Sequence, residues 1–376
     1  MNAEGASTSA GGAETIVAML ARGLGQRGWE VAVLAAFPTG DSNEVRAFAT
    51  LHKTSWRSSG SRRVLNHLGD FAAATSPRLR DAIRAARADV VHTHNLPGLS
   101  TAVWGAAAAT GARVVHTLHD YYLLCPRVTL VTPRGDPCRR GTYCTLRSGR
   151  LRRWSHAVDE VVGVSDALVV RHAGFFPQAR EHVIRHPDPR PGRPVPPPRS
   201  PPQTIGYLGA LDVTKGVHVL LAAAPRLIEL GYAVRFAGDG RLRRAVEAAA
   251  GEIPGVDYAG HVTGEARDSF IAGCDVGVVP SVWDEPGGPP LVLLDWLAAG
   301  RPAFSSGRGG LAEVEGAAGV VDVEPTADGL VRAAASVRDP REWETLRESA
   351  RPPTLPSLEE WLDRYEAVLR GEAADQ

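Results

Sequence analysis

Short β-branched runs alternate with longer amphipathic stretches along most of this chain. The alternation is broken once, by the proline-dense segment "HPDPRPGRPVPPPRSPPQ" at 186–203. Strands that alternate with helices build βα units and hence a parallel sheet. Proline removes a backbone donor and fixes φ, so the dense segment can form neither helix nor central strand and reads as a stiff, extended spacer. With 376 residues the chain is too long for one ordinary core. The expectation is therefore two α/β domains, 1–187 and 204–355, joined by a linker at 188–203 and followed by a closing helix at 356–376.

The local readings are specific. Before the spacer, "ETIVAMLARGLGQRG", "PRLRDAIRAARA", "LSTAVWGAAAATG" and "DALVVRHAGF" read as helices. "WEVAVLAAF", "DVVHTH", "ARVVHTLHD" and "EVVGVS" read as strands. After it, "TIGYLGAL", "AVRFAGDG", "VDYAGHV", "CDVGVVPS" and "AAGVVDV" read as strands, and "GVHVLLAAAPRLIEL" and "RLRRAVEAAAG" as helices. "SLEEWLDRYEAVLRG" is an amphipathic helix. Two such domains are expected to face one another across a cleft, with ligands at the carboxyl ends of the strands. "MNAEGASTSAGGAE" offers no apolar run for a first buried strand, so either that strand is missing or the natural chain begins elsewhere.

Bulk properties exclude some function classes. The formal net charge is zero, so no overall field favours nucleic acid or an anionic membrane. No apolar run reaches the length of a membrane span and no signal peptide opens the chain, which predicts a soluble cytoplasmic protein. Cys125, Cys138 and Cys144 cluster without a CxxC pair, fit no common zinc spacing, and read with Cys274 as reduced thiols. Only two lysines, Lys53 and Lys215, occur among 42 basic residues, so a lysine at a strand–helix junction stands out from the arginine background.

Lys215 stands at such a junction. In "YLGALDVTKGVHVLL" a strand ends at Gly209 and Lys215-Gly216 opens a helix. Free N–H groups at a helix start attract phosphate, and an ammonium adds a full charge. A solvated turn lysine is the alternative. Gly238 in "AGDG" and Gly260 in "YAGHV" mark turns where backbone can approach a base or ribose. In "VPSVWDEPGGPPLVLLDWLAAGRPAF" Glu285 lies in a loop, Leu291 opens a helix, and Asp295 follows in its second turn. Ionised carboxylates accept hydrogen bonds and suit sugar or ribose hydroxyls. The bland reading makes Glu285 a loop acid and Asp295 a surface residue. "RSGRLRRW" at 147–154 is a basic run that could attract an anionic acceptor or a membrane surface, or could simply be a solvated face.

Taken in order, these segments resemble the retaining glycosyltransferase family 4, whose members share the GT-B fold. The carriers are "GGAE" at 11–14, "VVHTLHDYYLLCP" at 114–126, "VVGVSD" at 161–166 and "GALDVTKG" at 209–216. They continue with "AGDG" at 237–240, "YAGHV" at 258–262, the segment around Glu285, and "GRGGLAE" at 307–313. The resemblance implies two Rossmann-like α/β/α domains, the first binding acceptor and the second a UDP- or GDP-type sugar donor, with the last helix crossing back to the first domain. It implies that Lys215 holds the donor diphosphate, that Asp295 stands where the family glutamate binds ribose, and that Glu285 stands where the family acid touches the sugar. Backbone at Gly260, His261 and Val262 would meet the base, Gly12 would lie under the diphosphate, and Gly238, Leu291 and Gly309 would line the donor. His119 would face the transferred sugar.

The resemblance also implies retention of the anomeric configuration. No Asp-x-Asp pair occurs, so neither metal nor any cofactor beyond the donor substrate is expected. The sequence departs from the family at three points: Ala210 stands where a phosphate-binding arginine is common, nine residues rather than seven separate the two acids, and Asp replaces Glu at 295. These departures leave two rival readings, a nucleotide-sugar epimerase or hydrolase of the same fold and a non-catalytic glycan-binding partner.

Overall fold

A computed structural model describes residues 12–35, 46–50, 77–97, 99–187, 195–288, 290–314 and 316–372. The question of a first strand, Gly11, Pro289 and the first half of the expected spacer lie outside these residues. The chain divides into two compact units: Met1–Leu130 with Arg139–Pro187 and Pro356–Gln376, and Val131–Cys138 with Asp188–Leu355.

The first unit contains α1 (Gly12–Gln26), β1 (Ala32–Ala35), β2 (Arg46–Thr50), α2 (Pro77–Ala86), β3 (Val90–Thr93), α3 (Ala102–Ala108), β4 (Arg113–Leu118), α4 (Thr142–Arg152), β5 (Glu160–Gly163), α5 (Asp166–Arg171) and β6 (Arg180–Val183). Strands β3-β4-β5-β6 form a parallel sheet in that order, and β1 pairs β2 in parallel. Strands β4 and β5 are buried almost throughout, as parallel strands covered on both faces must be.

The C-terminal helix, Leu358–Arg370, belongs to this unit. A capping box between Ser357 and Glu360 starts it, and Gly371 in the left-handed region ends it. Its Trp361, Leu362, Tyr365, Val368 and Leu369 join Ile16, Leu20 and Leu24 of α1 and Val115 and Val162 of the sheet in one buried cluster. Arg27 donates to Asp363 and Glu366, each at 2.7 Å, and so ties the helix to the end of α1.

The second unit runs β7 (Thr204–Leu208), α6 (Val217–Glu229), β8 (Ala233–Ala237), α7 (Arg243–Glu252), β9 (Val256–Tyr258), α8 (Gly264–Ala272), β10 (Val276–Val279), α9 (Leu291–Ala298), β11 (Ala303–Ser305), a 3-10 turn at Gly310–Val314, β12 (Val320–Asp322), α10 (Ala327–Ser336) and α11 (Pro340–Ser349). Its six parallel strands lie in the order β12-β11-β10-β7-β8-β9. Asp275, buried just before β10, accepts from the backbone of Arg199, Gln203 and Thr204 at 2.8–2.9 Å and so fixes the chain entering β7. Trp296 of α9 lies against β7 and β10 because Gly277 leaves room: a Cβ there would fall 2.3 Å from the indole.

Two expectations change. Thr142–Arg152, for which sequence alone indicates no helix, form α4. Within the basic run, Arg147 is buried rather than solvated: it donates to the Tyr122 carbonyl at 2.7 Å and lies 4.5 Å from the centre of the Tyr122 ring. All four cysteines are free thiols. Among the described residues, no helix is long and apolar enough to cross a membrane.

Candidate functional site

In the second unit the strand order reverses between β7 and β10. Chain leaving β7 turns to one side of the sheet and chain leaving β10 to the other, which opens a crevice at their carboxyl ends. The loops that fill it are 209–216 and 280–290. Gly216 has φ +73°, and a Cβ on it would come 1.8 Å from the Pro280 carbonyl oxygen. Only glycine lets the two loops approach this closely. Val282 N–H donates to the Thr214 carbonyl at 3.0 Å and joins them further.

This approach brings Lys215 to Glu285. The ammonium nitrogen lies 2.8 Å from Oε1 and 2.6 Å from Oε2, and 5.0 Å from the centre of the Trp283 ring. The Glu285 side chain is 4% exposed, but Lys215 is 32% exposed, so the cation faces solvent and the carboxylate supports it from behind. Ser281 Oγ donates to Glu285 Oε1. The Glu285 backbone is fixed too: its N–H donates to the Arg308 carbonyl at 3.1 Å and its carbonyl accepts from Gly310 N–H at 2.7 Å, so Glu285 and Gly309 form a parallel bridge. The extra loop length between the acids is thus held by the glycine-rich turn after β11.

Neighbouring groups are similarly paired. Arg241 Nε donates to Asp212 Oδ2 at 2.7 Å. Burial works against the Asp212 carboxylate, but hydrogen bonds from Arg241 and Thr214 outweigh it and hold its pKa below the usual range. The Tyr207 phenol donates to the Ala210 carbonyl at 2.7 Å. Its burial, reinforced by the charges of Glu285 and Asp212, pushes its pKa well above that of an exposed tyrosine. Arg308 lies 3.5 Å from Asp284.

Gly238 and Gly260 are adjacent: Gly238 N–H donates to the Gly260 carbonyl and Tyr258 Oη donates to the Gly238 carbonyl, both at 2.8 Å. His261 follows them on the surface, while Val262 packs against the apolar cluster around Trp296 and Leu293. Leu291 is the first residue of α9. Asp295, one turn further, is mostly buried and forms an ion pair with Arg267 of α8.

The first unit holds a separate pocket lined by His94, Asn95, Leu96, His116, Thr117 and residues 118–120, 122 and 123. His119, just beyond β4, lies here with its Nε2 3.0 Å from His94 Nδ1, and its ring stacks 6.1 Å from His186. Burial, with His186 and His116 close by, pushes the His119 pKa well below that of a free imidazole. When two neutral imidazoles share such a bond, one ring donates and the other accepts. Among the described residues, no three or more His, Cys, Asp or Glu side chains are arranged to hold a metal ion.

The structure therefore brings together Lys215, Glu285 and Gly309, and separately Gly238 and Gly260. Asp295 and Leu291 lie on α9, and Gly12 is the first residue of α1. Four residues at these sites escaped sequence reading: Ser281, Arg267, Trp283 and His94. Of these, His94 alone carried a signal, the polar "HTHN" at the carboxyl end of a strand.

Comparison with known proteins gives two family matches. Residues 10–187 match the model described as Glycosyltransferase Family 4. Residues 202–338 match Glycosyl transferases group 1. An uncharacterized 42.6 kDa protein in the cps region of Klebsiella pneumoniae is 26% identical over 326 residues, covering 81% of this chain and 83% of that protein. Glycogen synthase of Mycobacterium tuberculosis is 29% identical over 303 residues, 70% of each chain. Among solved structures, sucrose-phosphate synthase of Thermosynechococcus elongatus superposes with a TM-score of 0.71 at 20% identity, covering 98% of this chain and 95% of that one. Anabaena HepE in complex with UDP and glucose has a TM-score of 0.65 at 16% identity over 96% of both chains.

Proposed function

The chain belongs to glycosyltransferase family 4 and is a glycosyltransferase of GT-B fold, and from that premise we propose that it moves a sugar, with retention, from a nucleotide-diphosphate sugar to a hydroxyl acceptor without a metal. One observation carries this reading: Lys215, the lone lysine of its unit, stands partly exposed at the strand switch point with Glu285 directly behind it.

The chemistry follows from charge. Breaking a sugar–phosphate bond leaves negative charge on the diphosphate and positive charge on the sugar ring. A fixed ammonium and the N–H groups at a helix start stabilise the first. Lys215 supplies the cation at the mouth of α6, the role a divalent ion would otherwise play. Glu285, whose carboxylate orients that ammonium, positions the sugar. Asp295 takes the ribose, and the turns at Gly238 and at Gly260, His261 and Val262 meet the base. Gly309 and Leu291 complete the donor pocket, and Gly12 lies under the diphosphate. A leaving phosphate oxygen helps deprotonate the acceptor on the same face, which accounts for retention. His119, kept neutral by burial, meets the transferred sugar as a hydrogen-bonding group and not as a cation.

The UDP carried by the solved relative supports UDP-sugars as the first donors to try. Acceptors to try are surface glycans, lipid-linked sugars and natural-product aglycones. The test is a panel of UDP- and GDP-sugars, with and without acceptors and chelator, read by mass spectrometry and by NMR of the product anomer. Acceptor-dependent transfer with retained configuration in chelator supports the reading. An inverted product, or activity restored only by added metal, overturns its mechanistic part.

A further inference from the structure

The loops at the carboxyl ends of β7, β10 and β11 contain two cations, Lys215 and Arg308. Arg308 stands beside the ion pair already described, because its carbonyl accepts the Glu285 N–H at 3.1 Å. One acid thus anchors both: Glu285 holds Lys215 through its carboxylate and Arg308 through its backbone.

The Arg308 guanidinium is half-buried and weakly committed. Its contact with Asp284 is 3.5 Å long, beyond the range of a firm N–H···O bond. Its Nε is buried and meets no acceptor. Buried N–H groups are normally paired, and leaving one unpaired costs free energy. Two other cations near the crevice are firmly held, Lys215 by Glu285 at 2.8 and 2.6 Å and Arg241 by Asp212 at 2.7 Å. Arg308 is therefore the cation that a ligand can recruit without breaking a short ion pair. The ligand also needs it. An ammonium has three donors, and Glu285 occupies two of those on Lys215. One remaining N–H is a small match for a diphosphate, whereas a guanidinium presents a planar fork that grips phosphate oxygens in pairs.

We propose that Arg308 is a second phosphate-binding residue of the donor site, its guanidinium leaving Asp284 for the terminal phosphate of the diphosphate. Glu285 positions the sugar, so a cation tied to the Glu285 backbone serves the phosphate that carries that sugar. The proposal rests on the donor reading above and adds a residue to it. The alternative is a clamp that only ties the turn after β11 to Asp284.

Calorimetry on the full chain with UDP, GDP, UMP and GMP separates the two. For whichever diphosphate the parent binds, Arg308→Gln should weaken affinity about tenfold and leave the matching monophosphate within about twofold. Arg308→Lys, which keeps the charge, should restore part of the loss. A clamp would move both nucleotides alike, or neither. Unchanged diphosphate affinity in Arg308→Gln, or an equal loss for monophosphate and diphosphate, overturns the proposal. Lys215→Ala is measured alongside. A loss there with none in Arg308→Gln overturns the Arg308 role alone, whereas a parent that binds neither UDP nor GDP overturns the donor reading with it.

Discussion

Lys215 Nζ lies between the two carboxylate oxygens of Glu285, at 2.8 and 2.6 Å, although the residues are 70 positions apart in sequence. The pair joins the loops after β7 and β10, and its unequal exposure gives each partner a different task. The ammonium can meet a ligand, while the carboxylate keeps it extended toward that ligand.

Lys215→Ala is therefore expected to abolish donor turnover, by about a thousandfold or more, as loss of a group facing developing charge does. It also strands a buried carboxylate with Ser281 as its remaining donor, so stability should fall by about 2 kcal/mol. The double variant Lys215→Ala, Glu285→Gln should recover most of that stability in urea titrations and none of the turnover. Full activity in the single variant would remove Lys215 from the phosphate role.

Asp295→Asn keeps size and removes charge. If the carboxylate serves the ribose, calorimetry should show nucleotide affinity falling about tenfold, with a smaller loss in Arg267→Ala, which leaves the carboxylate in place. Equal affinity in Asp295→Asn and the parent would make the Arg267 pair purely structural.

His94→Gln and His94→Ala separate positioning from packing. The bond to His119 couples the tautomers of the two rings, so that whichever ring donates, the other accepts. Alanine should lower kcat about tenfold with little change in donor KM, and glutamine, which can hydrogen-bond in its place, should restore part of the loss. An unchanged kcat in both variants would show that His119 needs no partner.

The buried histidines of the first unit set an acid limit. Burial lowers His116 from 6.5 to about 3, and His172 and His186 to about 4. Each is neutral when folded and gains a proton more readily when unfolded. Their stabilisation is therefore complete above about pH 6.5 and is lost as pH falls toward 4. Each such group contributes up to about 1.4 kcal/mol per pH unit in that window. Urea midpoints should drop steeply between about pH 6.5 and 5, and the slope should ease in His172→Gln. A flat profile would mean these rings are hydrated.

Much of the architecture was legible because parallel strands buried on both faces leave continuous apolar runs such as "VVHTL" and "VGVV". What escaped lacked that mark. β6 carries "REHV", whose charges are held by Glu160 bonding to Arg180 and His182, a relation between strands. α4 hides in arginines and a mid-helix Gly149 because most of its surface is exposed. Lys215 and Glu285 were each legible from local context, but their pairing was not, since it depends on the strand switch. Nor could spacing alone show that the Gly309 turn would hold the longer acid loop.

The last helix completes the interior of the unit that the chain begins. Ile16, Leu20 and Leu24 cannot be fully covered until Trp361, Leu362 and Tyr365 arrive. During synthesis the order of maturation is therefore inverted: the unit whose residues emerge later can close first, and the earlier one waits for Leu358–Arg370. A stop codon just before Leu358 would thus spare the unit translated immediately upstream and damage the one built mostly from residues before 188.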